Sequence, residues 1–508
     1  MSQRRALPKI CIALGLPDVP RLLEQARREA DSGENFLEFR LDYLPDPVAG
    51  VRAIEQFLDE YPNCTILATC RRHQNHGKFN GSIDDQLKIY DLAITAGARA
   101  IDIEIETAEL VPERCAALRT KAQLVVSWHH FETTPPLDPV MKRMRKVPAD
   151  VYKIVSTARK PTDVGRILAA SRQSPKIPLV TLAMGELGFP SRVLSPALGA
   201  VYTYAAPAHA LGTAAGQINA RQLRSLYRMD KFTKAAKIFG VVADPVRHSV
   251  SPYVHNRAFQ SRRIDAVYVP LLVSANQLRD FFQFAEGLPL SGFSVTIPHK
   301  RRIMRYLDHV DPLAKRIGAV NTLVVRDDGS LLGRNTDAFG FLENLRRGCP
   351  AWTPAAGPAV VIGAGGAARA VVAALIEAGL AEIRLVNRGR DRAEQLAADL
   401  GGPVTVVDWA DRSVALADAA LLVNTTTLGM TGQSNLDLDL AALPPTALVN
   451  DIVYVPLETD LLARARMRGN PVVDGLGMLL WQAAPGFEAW FGVRPEVTAV
   501  LRDFVLAG

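Results

Sequence analysis

The stretch Gln123-Leu-Val-Val-Ser-Trp-His-His130 is an apolar run that ends in two adjacent histidines, and the next run, Val151-Tyr-Lys-Ile-Val-Ser-Thr157, carries a lysine in its middle. Both have the length and the Val/Ile/Tyr content of buried strands. The interval between their starts suits one strand followed by one helix. On a strand, neighbouring side chains point to opposite faces, so at most one of His129 and His130 can share a face with the core side of that strand.

Working outward, runs of the same kind start at Lys9 (KICIAL), Phe36 (FLEFRLDYL), Cys64 (CTILATC), Ala100 (AIDIEIE), Pro178 (PLVTLAMG) and Val201 (VYTYAA). With the first two they make eight in the first 228 residues, their starts 23 to 36 residues apart. Helical patterns such as 20–32 and 83–96 lie between them. Eight such units predict a compact (β/α)8 TIM barrel. A doubly wound open sheet is the alternative that pattern alone leaves standing.

The whole chain has 508 residues, enough for two or three domains with ample core. With 48% hydrophobic and 22% charged residues it reads as a soluble globular protein. The net charge of +7 is spread without a Lys/Arg block, which argues against a nucleic-acid binder and suits small anionic substrates. The five cysteines, Cys11, Cys64, Cys70, Cys115 and Cys349, are odd in number, scattered and without a CxxC. They predict reduced thiols in a cytoplasmic protein, no disulfide framework and no metal site. The N-terminal residues lead straight into an apolar run, with no room for a signal or transit peptide, and no apolar run reaches membrane-spanning length.

Chemistry in a barrel is built where strands end. Glu38, Arg40 and Asp42 alternate along the second run and are expected on one face; Arg71 ends the third; Ser191-Arg192 and Gly216-Gln217 follow the seventh and eighth. A structural ion-pair network would explain the first three equally well, and surface charge would explain Arg71 and Arg192. Lys153 is harder to dismiss, because a lysine inside an apolar strand is costly to desolvate. Desolvation favours the neutral amine, which attacks carbonyl carbon, and a histidine on the preceding strand then suggests Schiff-base chemistry.

The motifs FLEFRLD, SWHHFETTP, DVYKIV, MGELGFPSR and AAGQIN closely resemble those of type I 3-dehydroquinate dehydratases, across nearly all of this segment. The resemblance implies loss of water from 3-dehydroquinate through a lysine imine. It makes Lys153 the imine lysine and His129 the general acid/base, with Glu38, Arg40, Arg71, Arg192, Thr213 and Gln217 binding substrate. One position departs. The family usually carries a glutamate shortly after the arginine matched by Arg71, and Asn75 falls at or near that place. An amide still hydrogen-bonds an imidazole but cannot stabilise imidazolium by charge. The expectation is a working dehydratase, slower or with a shifted pH optimum, with His73 or His76 compensating; the alternative is a chain in which only its second half is active.

Beyond a basic junction, 228–237, strands and helices alternate again. Val360-Val-Ile-Gly-Ala-Gly-Gly-Ala-Ala-Arg-Ala370 has a strand before it, a helix after it and a second strand, IRLVNR from Ile383, some twenty residues on. That is the context of a dinucleotide-binding Rossmann unit, with Gly363, Ala364, Gly365, Gly366 and Ala367 as the pyrophosphate turn. A glycine-rich turn without ligand is the plainer reading. The second strand ends in Asn387 and arginines where a carboxylate would mark NAD, so NADP(H) is expected, clamped by Arg388 and Arg392, with Arg390 less suited.

Upstream lie HSVSP from His248, FSVTIPHK from Phe293, GAVNT from Gly318 and GRNTD from Gly333; downstream lie DIVY from Asp451 and GLGMLLWQ from Gly475. Together these closely resemble the shikimate dehydrogenase family over 237–508. The resemblance implies reduction of 3-dehydroshikimate to shikimate. It makes Lys300 and Asp337 the catalytic pair, Ser249 and Ser251 the carboxylate site, and Thr296, Asn321, Tyr454 and Gln482 further substrate contacts. Quinate dehydrogenation with NAD is the alternative. The expected division is a barrel at 1–228, a linker at 229–236, a substrate-binding subdomain at 237–340 with 475–508, and a Rossmann subdomain at 341–474.

Overall fold

The computed structural model describes residues 6–208, 212–213, 216–231, 233, 235–247 and 249–507; Ala214, Ala215 and His248 of the motifs above lie outside them. The chain divides into two compact units, Met1–Lys237 with Asp265–Pro289, and Ile238–Ile264 with Leu290–Gly508.

The first unit is built on eight strands: β1 (Ile10–Leu14), β2 (Phe36–Arg40), β3 (Thr65–Thr69), β4 (Ala100–Glu104), β5 (Gln123–His130), β6 (Val151–Thr157), β7 (Leu179–Met184) and β8 (Thr203–Ala205). Their order is β7-β6-β5-β4-β3-β2-β1-β8. Neighbours pair in parallel from β1 to β7, β8 pairs in parallel with β1, and Val201 N–H donates to Leu179 O at 2.7 Å just ahead of β8. The sheet is therefore a nearly closed barrel. Strands β1 to β4 are buried at every position, which is why they read as continuous apolar runs. The helix Val19–Asp31 starts where Asp18 accepts from Arg21 N–H, and Ile83–Thr95 starts on a Ser82/Asp85 capping box.

One apolar cluster gathers Phe36, Leu67, Ala100, Val125, Val151, Val155, Val180, Tyr202 and Tyr204. Alternation then puts Glu38, Arg40, Asp102, Glu104, Ser127, His129 and Lys153 on the same face of their strands. Asp42 is a correction to the expected pattern. β2 stops at Arg40, and Asp42 sits on a one-turn 3-10 helix, Leu41–Tyr43, from which it reaches back to Arg40.

In the second half, β9 (Lys237–Ala243), β10 (Ala266–Leu272), β11 (Leu290–Val295), β12 (His309–Val310), β13 (Thr322–Val325) and β14 (Leu331–Arg334) form a mixed sheet of order β10-β9-β11-β13-β14-β12. A third sheet, β15 (Ala359–Ile362), β16 (Ile383–Val386), β17 (Val404–Val407), β18 (Leu421–Asn424), β19 (Leu448–Asp451) and β20 (Val472–Val473), is parallel throughout with order β17-β16-β15-β18-β19-β20. That is the doubly wound order, whose switch point lies between β15 and β18. Among the described residues no helix is long and apolar enough to cross a membrane.

Candidate active sites

Lys153 is 5% exposed inside the barrel. Its Nζ donates to Asp102 Oδ2 and to Tyr204 OH, both at 2.9 Å, and lies 3.8 Å from Glu38 Oε1. Asp102 in turn accepts from Ser127 Oγ at 2.6 Å and lies 3.5 Å from Arg71 Nη2. Glu38 accepts from Thr69 Oγ1 at 2.7 Å. Burial disfavours the charge on Asp102, but Lys153 and Arg71 outweigh it and hold the carboxyl below its ordinary range. The ammonium thus sits between two carboxylates, which oppose the desolvation inferred from sequence.

His129 is half-buried on β5 opposite Val155, on the inward face; His130 turns the other way, its Nδ1 at 2.9 Å from Thr133 O. Desolvation, then the charges of Arg71, Lys153 and Arg40, push the His129 imidazole well below its ordinary range. Among the described residues no carboxylate is within bonding reach of it. Asn75 donates instead to Glu104 Oε1 at 3.1 Å, a carboxylate that also takes Arg72 N–H at 3.1 Å and Gln86 Nε2 at 3.0 Å. His76, on the same turn, packs at a tilt against Phe131, with ring centres 4.2 Å apart, and Phe131 stacks against His129 at 5.9 Å.

Arg40 grips Asp42 through two hydrogen bonds of 2.8 and 2.9 Å. Arg192, on the helix Phe189–Leu194, is fully buried, and burial pulls its guanidinium down to about 10. Gln217 donates to Thr213 Oγ1 at 3.5 Å. Thr213 lies over the end of β1, since a Cβ on Gly15 would fall 2.8 Å from its Cγ2. Asp102, Tyr204, Ser127 and Glu104 were missed from sequence. The signal was present in Ala100-Ile-Asp-Ile-Glu104: a charge inside an apolar strand, as at Lys153.

In the second unit, Lys300 Nζ donates to Asp337 Oδ2 at 2.5 Å. Asn321 Nδ2 donates to Asp337 Oδ1 and Thr336 Oγ1, both at 2.9 Å, and to Gln482 Oε1 at 3.1 Å. Four of the expected residues therefore form one cluster, with Thr336 and Asn335 added; Asn335 Oδ1 caps Asp337 N–H at 3.0 Å. Gly340 makes this possible. A Cβ there would lie 2.7 Å from the backbone N of Gln482, so only glycine lets the helices Asp337–Gly348 and Leu476–Phe491 approach. Ser249, Ser251, Thr296 and Tyr454 make no hydrogen bond to the cluster among the described residues. Ser251 N–H points at Ser249 Oγ, 3.4 Å away, and Tyr454 packs beside Leu476 and Leu480.

The glycine turn leads from β15 into the helix Gly366–Glu377. Gly363 has φ +113, and a Cβ there would strike Thr425 Oγ1 at 2.6 Å. Beside Gly365 nothing lies within 4 Å of an added Cβ, and beside Gly366 stands Lys300 at 3.1 Å. The helix N-terminus is thus open at Gly365, with the Lys300 side chain beside Gly366, the form of a diphosphate cradle. At the end of β16, Asn387 donates to Gly389 O at 2.8 Å. Arg390 is held by Glu394 at 2.8 Å and Asp408 at 2.6 Å, whereas Arg388 and Arg392 are exposed and have no carboxylate partner among the described residues.

Comparison with known proteins places both units. The Type I 3-dehydroquinase family model matches residues 10–234. Models for the shikimate dehydrogenase substrate binding domain, shikimate/quinate 5-dehydrogenase and the shikimate 5'-dehydrogenase C-terminal domain match 241–323, 355–430 and 475–502. A shikimate dehydrogenase (NADP(+)) of Paramagnetospirillum magneticum is 66% identical over 272 residues, 54% of this chain and 99% of its own. A quinate dehydrogenase from Corynebacterium glutamicum, solved with NAD, is 29% identical with a TM-score of 0.50, over 54% of this chain and 99% of its own. A dehydroquinate dehydratase and shikimate dehydrogenase from S. pombe covers 99% of both chains at 22% identity and a TM-score of 0.44.

Proposed function

The chain belongs to the shikimate dehydrogenase family, with a type I 3-dehydroquinase domain ahead of that unit, and from this premise we propose that one polypeptide performs two successive steps. As a lyase it dehydrates 3-dehydroquinate to 3-dehydroshikimate; as an oxidoreductase it reduces 3-dehydroshikimate to shikimate with NADPH. The observation that carries this reading is a lysine paired with a carboxylate in each unit: the buried Lys153 with Asp102 and the partly buried Lys300 with Asp337.

In the first unit, Lys153 forms an imine with the ring ketone. The imine withdraws electrons, so the adjacent C–H becomes acidic; His129 takes that proton and later protonates the departing hydroxyl. A neutral His129 suits the first of these acts. Arg71, Arg192, Thr213 and Gln217 hold the carboxylate and ring oxygens, with Glu38 and Arg40 on the ring hydroxyls.

In the second unit, Lys300 exchanges a proton with the carbonyl oxygen while Asp337 fixes its direction. Asn321, Thr296, Gln482 and Tyr454 bind the ring, and Ser249 and Ser251 its carboxylate. NADPH supplies the hydride when bound. Gly363, Ala364, Gly365, Gly366 and Ala367 would cradle its diphosphate, and Asn387, Arg388 and Arg392 its 2′-phosphate, which supports NADP(H) over NAD. Five free thiols support a reducing, cytoplasmic setting.

A coupled assay tests the whole. Given 3-dehydroquinate and NADPH, the chain should consume nicotinamide absorbance and release shikimate. Consumption with 3-dehydroshikimate but not with 3-dehydroquinate would leave only the dehydrogenase. Faster turnover of quinate with NAD+ than of shikimate with NADP+ would replace that assignment.

A further inference from the structure

We infer that Asp102 is the standing counter-ion of the covalent intermediate on Lys153, a role that rests on the imine reading above. Two carboxylates face this nitrogen, and the geometry separates them. Glu38 is 3.8 Å away and accepts from Thr69 at 2.7 Å. Asp102 touches Nζ at 2.9 Å through Oδ2, while Oδ1 takes the Ser127 hydroxyl at 2.6 Å and faces Arg71 Nη2 at 3.5 Å. Its exposure is 0%, so water does not screen the pair. Ser127 is equally buried and sits directly opposite Lys153 in the β5–β6 register, so the hydroxyl that aims Asp102 is set by the strand pairing itself.

The proton count explains why a fixed anion is needed. Ammonium plus ketone gives iminium plus water: the C=O bond breaks, a C=N bond forms, and two of the three N–H protons leave in the water. One positive charge stays on nitrogen before and after. An anion already aimed at that nitrogen serves both states without rearranging, which is electrostatic preorganisation. The contact with Arg71 carries a second consequence. The carboxylate that holds the imine nitrogen also holds an arginine proposed to bind substrate, so one group sets the distance between the reacting carbon and the rest of the ring.

Borohydride trapping with 3-dehydroquinate, followed by mass spectrometry across a pH series, tests this alongside dehydratase kinetics. Asp102→Asn keeps the shape and removes the charge. It should cut kcat by roughly a hundredfold, the scale of losing one preorganised electrostatic group, with a smaller change in KM. It should also move the pH optimum of trapping downward, because the cationic nitrogen has lost its anion. Ser127→Ala should shift the optimum the same way by less, and Asp102→Glu should recover part of kcat. An Asp102→Asn enzyme with the parent kcat and pH profile overturns the inference. If that variant does not fold, a Ser127→Ala enzyme with the parent profile overturns it equally. A parent enzyme without an adduct on Lys153 sinks the imine reading itself, and that outcome is read before any variant is made.

Discussion

The side-chain amide of Asn75 donates to Glu104 Oε1 at 3.1 Å, and the imidazole of His129 stands without a carboxylate partner among the described residues. The side chain at position 75 is thus neutral and already committed to Glu104. The charges that reach His129 are cationic, which adds to the effect of burial.

The first prediction follows from that sign. A general base works in its neutral form, so activity is lost as pH falls through its pKa. Since His129 lies well below its ordinary range, the acid limb of dehydratase kcat/KM should fall below the usual imidazole value of about 6.5. His76, on the turn that carries Asn75, already reaches His129 electrostatically. A negative charge placed there by Asn75→Glu should therefore raise the limb. A limb at the ordinary value in the parent, unmoved by Asn75→Glu, would contradict this.

Cofactor choice is the second. Each charge-assisted bond to phosphate is worth about 1.5–3 kcal/mol, roughly ten- to a hundredfold in affinity. Arg388→Ala and Arg392→Ala should each raise the NADP+ dissociation constant by that factor and leave NAD+ binding unchanged. Arg390→Ala should do less, because Glu394 and Asp408 already occupy its guanidinium. Titration of both nucleotides by fluorescence separates these outcomes.

Gly340 gives a third. An alanine methyl would meet the backbone N of Gln482 and the carbonyl of Met478, both at 2.7 Å, and neither can move without the helix. Gly340→Ala should cost about 1–3 kcal/mol of stability, as overpacking does. It should also raise the KM for shikimate more than that for NADP+, since the bonds that Gln482 Oε1 accepts from Asn321 and Thr336 are broken. Equal changes in the two KM values would refute the link.

The fourth concerns His255, which is 2% exposed and sits beside Trp490. Burial lowers it from 6.5 to about 3. The unfolded chain therefore binds a proton that the native state refuses, and stability is full above about 6.5 and falls as pH drops toward 3, by up to a few kcal/mol. Asp451, raised to about 6 by burial, titrates with the opposite sign, so the readout is a difference. The unfolding free energy of His255→Leu should show less acid loss than that of the parent. Parallel curves would rule out His255 as the cause.

Much of this molecule was legible in order along the chain. Continuous apolar runs at strand length occur because barrel strands are buried on both faces, and that burial is written residue by residue. Lys153 and the Gly363 turn stood out for the same reason: each is a chemical type that its local element tolerates only at a cost or only with glycine. Alternation allowed only one of His129 and His130 on the core face, and the family resemblance chose His129.

What the chain order did not hold was pairing. Asp42 left the strand for a helical turn because β2 ends at Arg40, a boundary set by where the sheet stops rather than by the alternating pattern. Asp102 reaches Lys153 from 51 positions away, Asn75 spends its amide on Glu104, and Gln482 meets Asn321 across a gap of 161. Periodicity fixes which face a side chain occupies, because that depends on backbone geometry within one element. Which polar group neutralises which depends on the closing of the barrel and on the approach of two helices at one glycine, and only the assembled fold decides that.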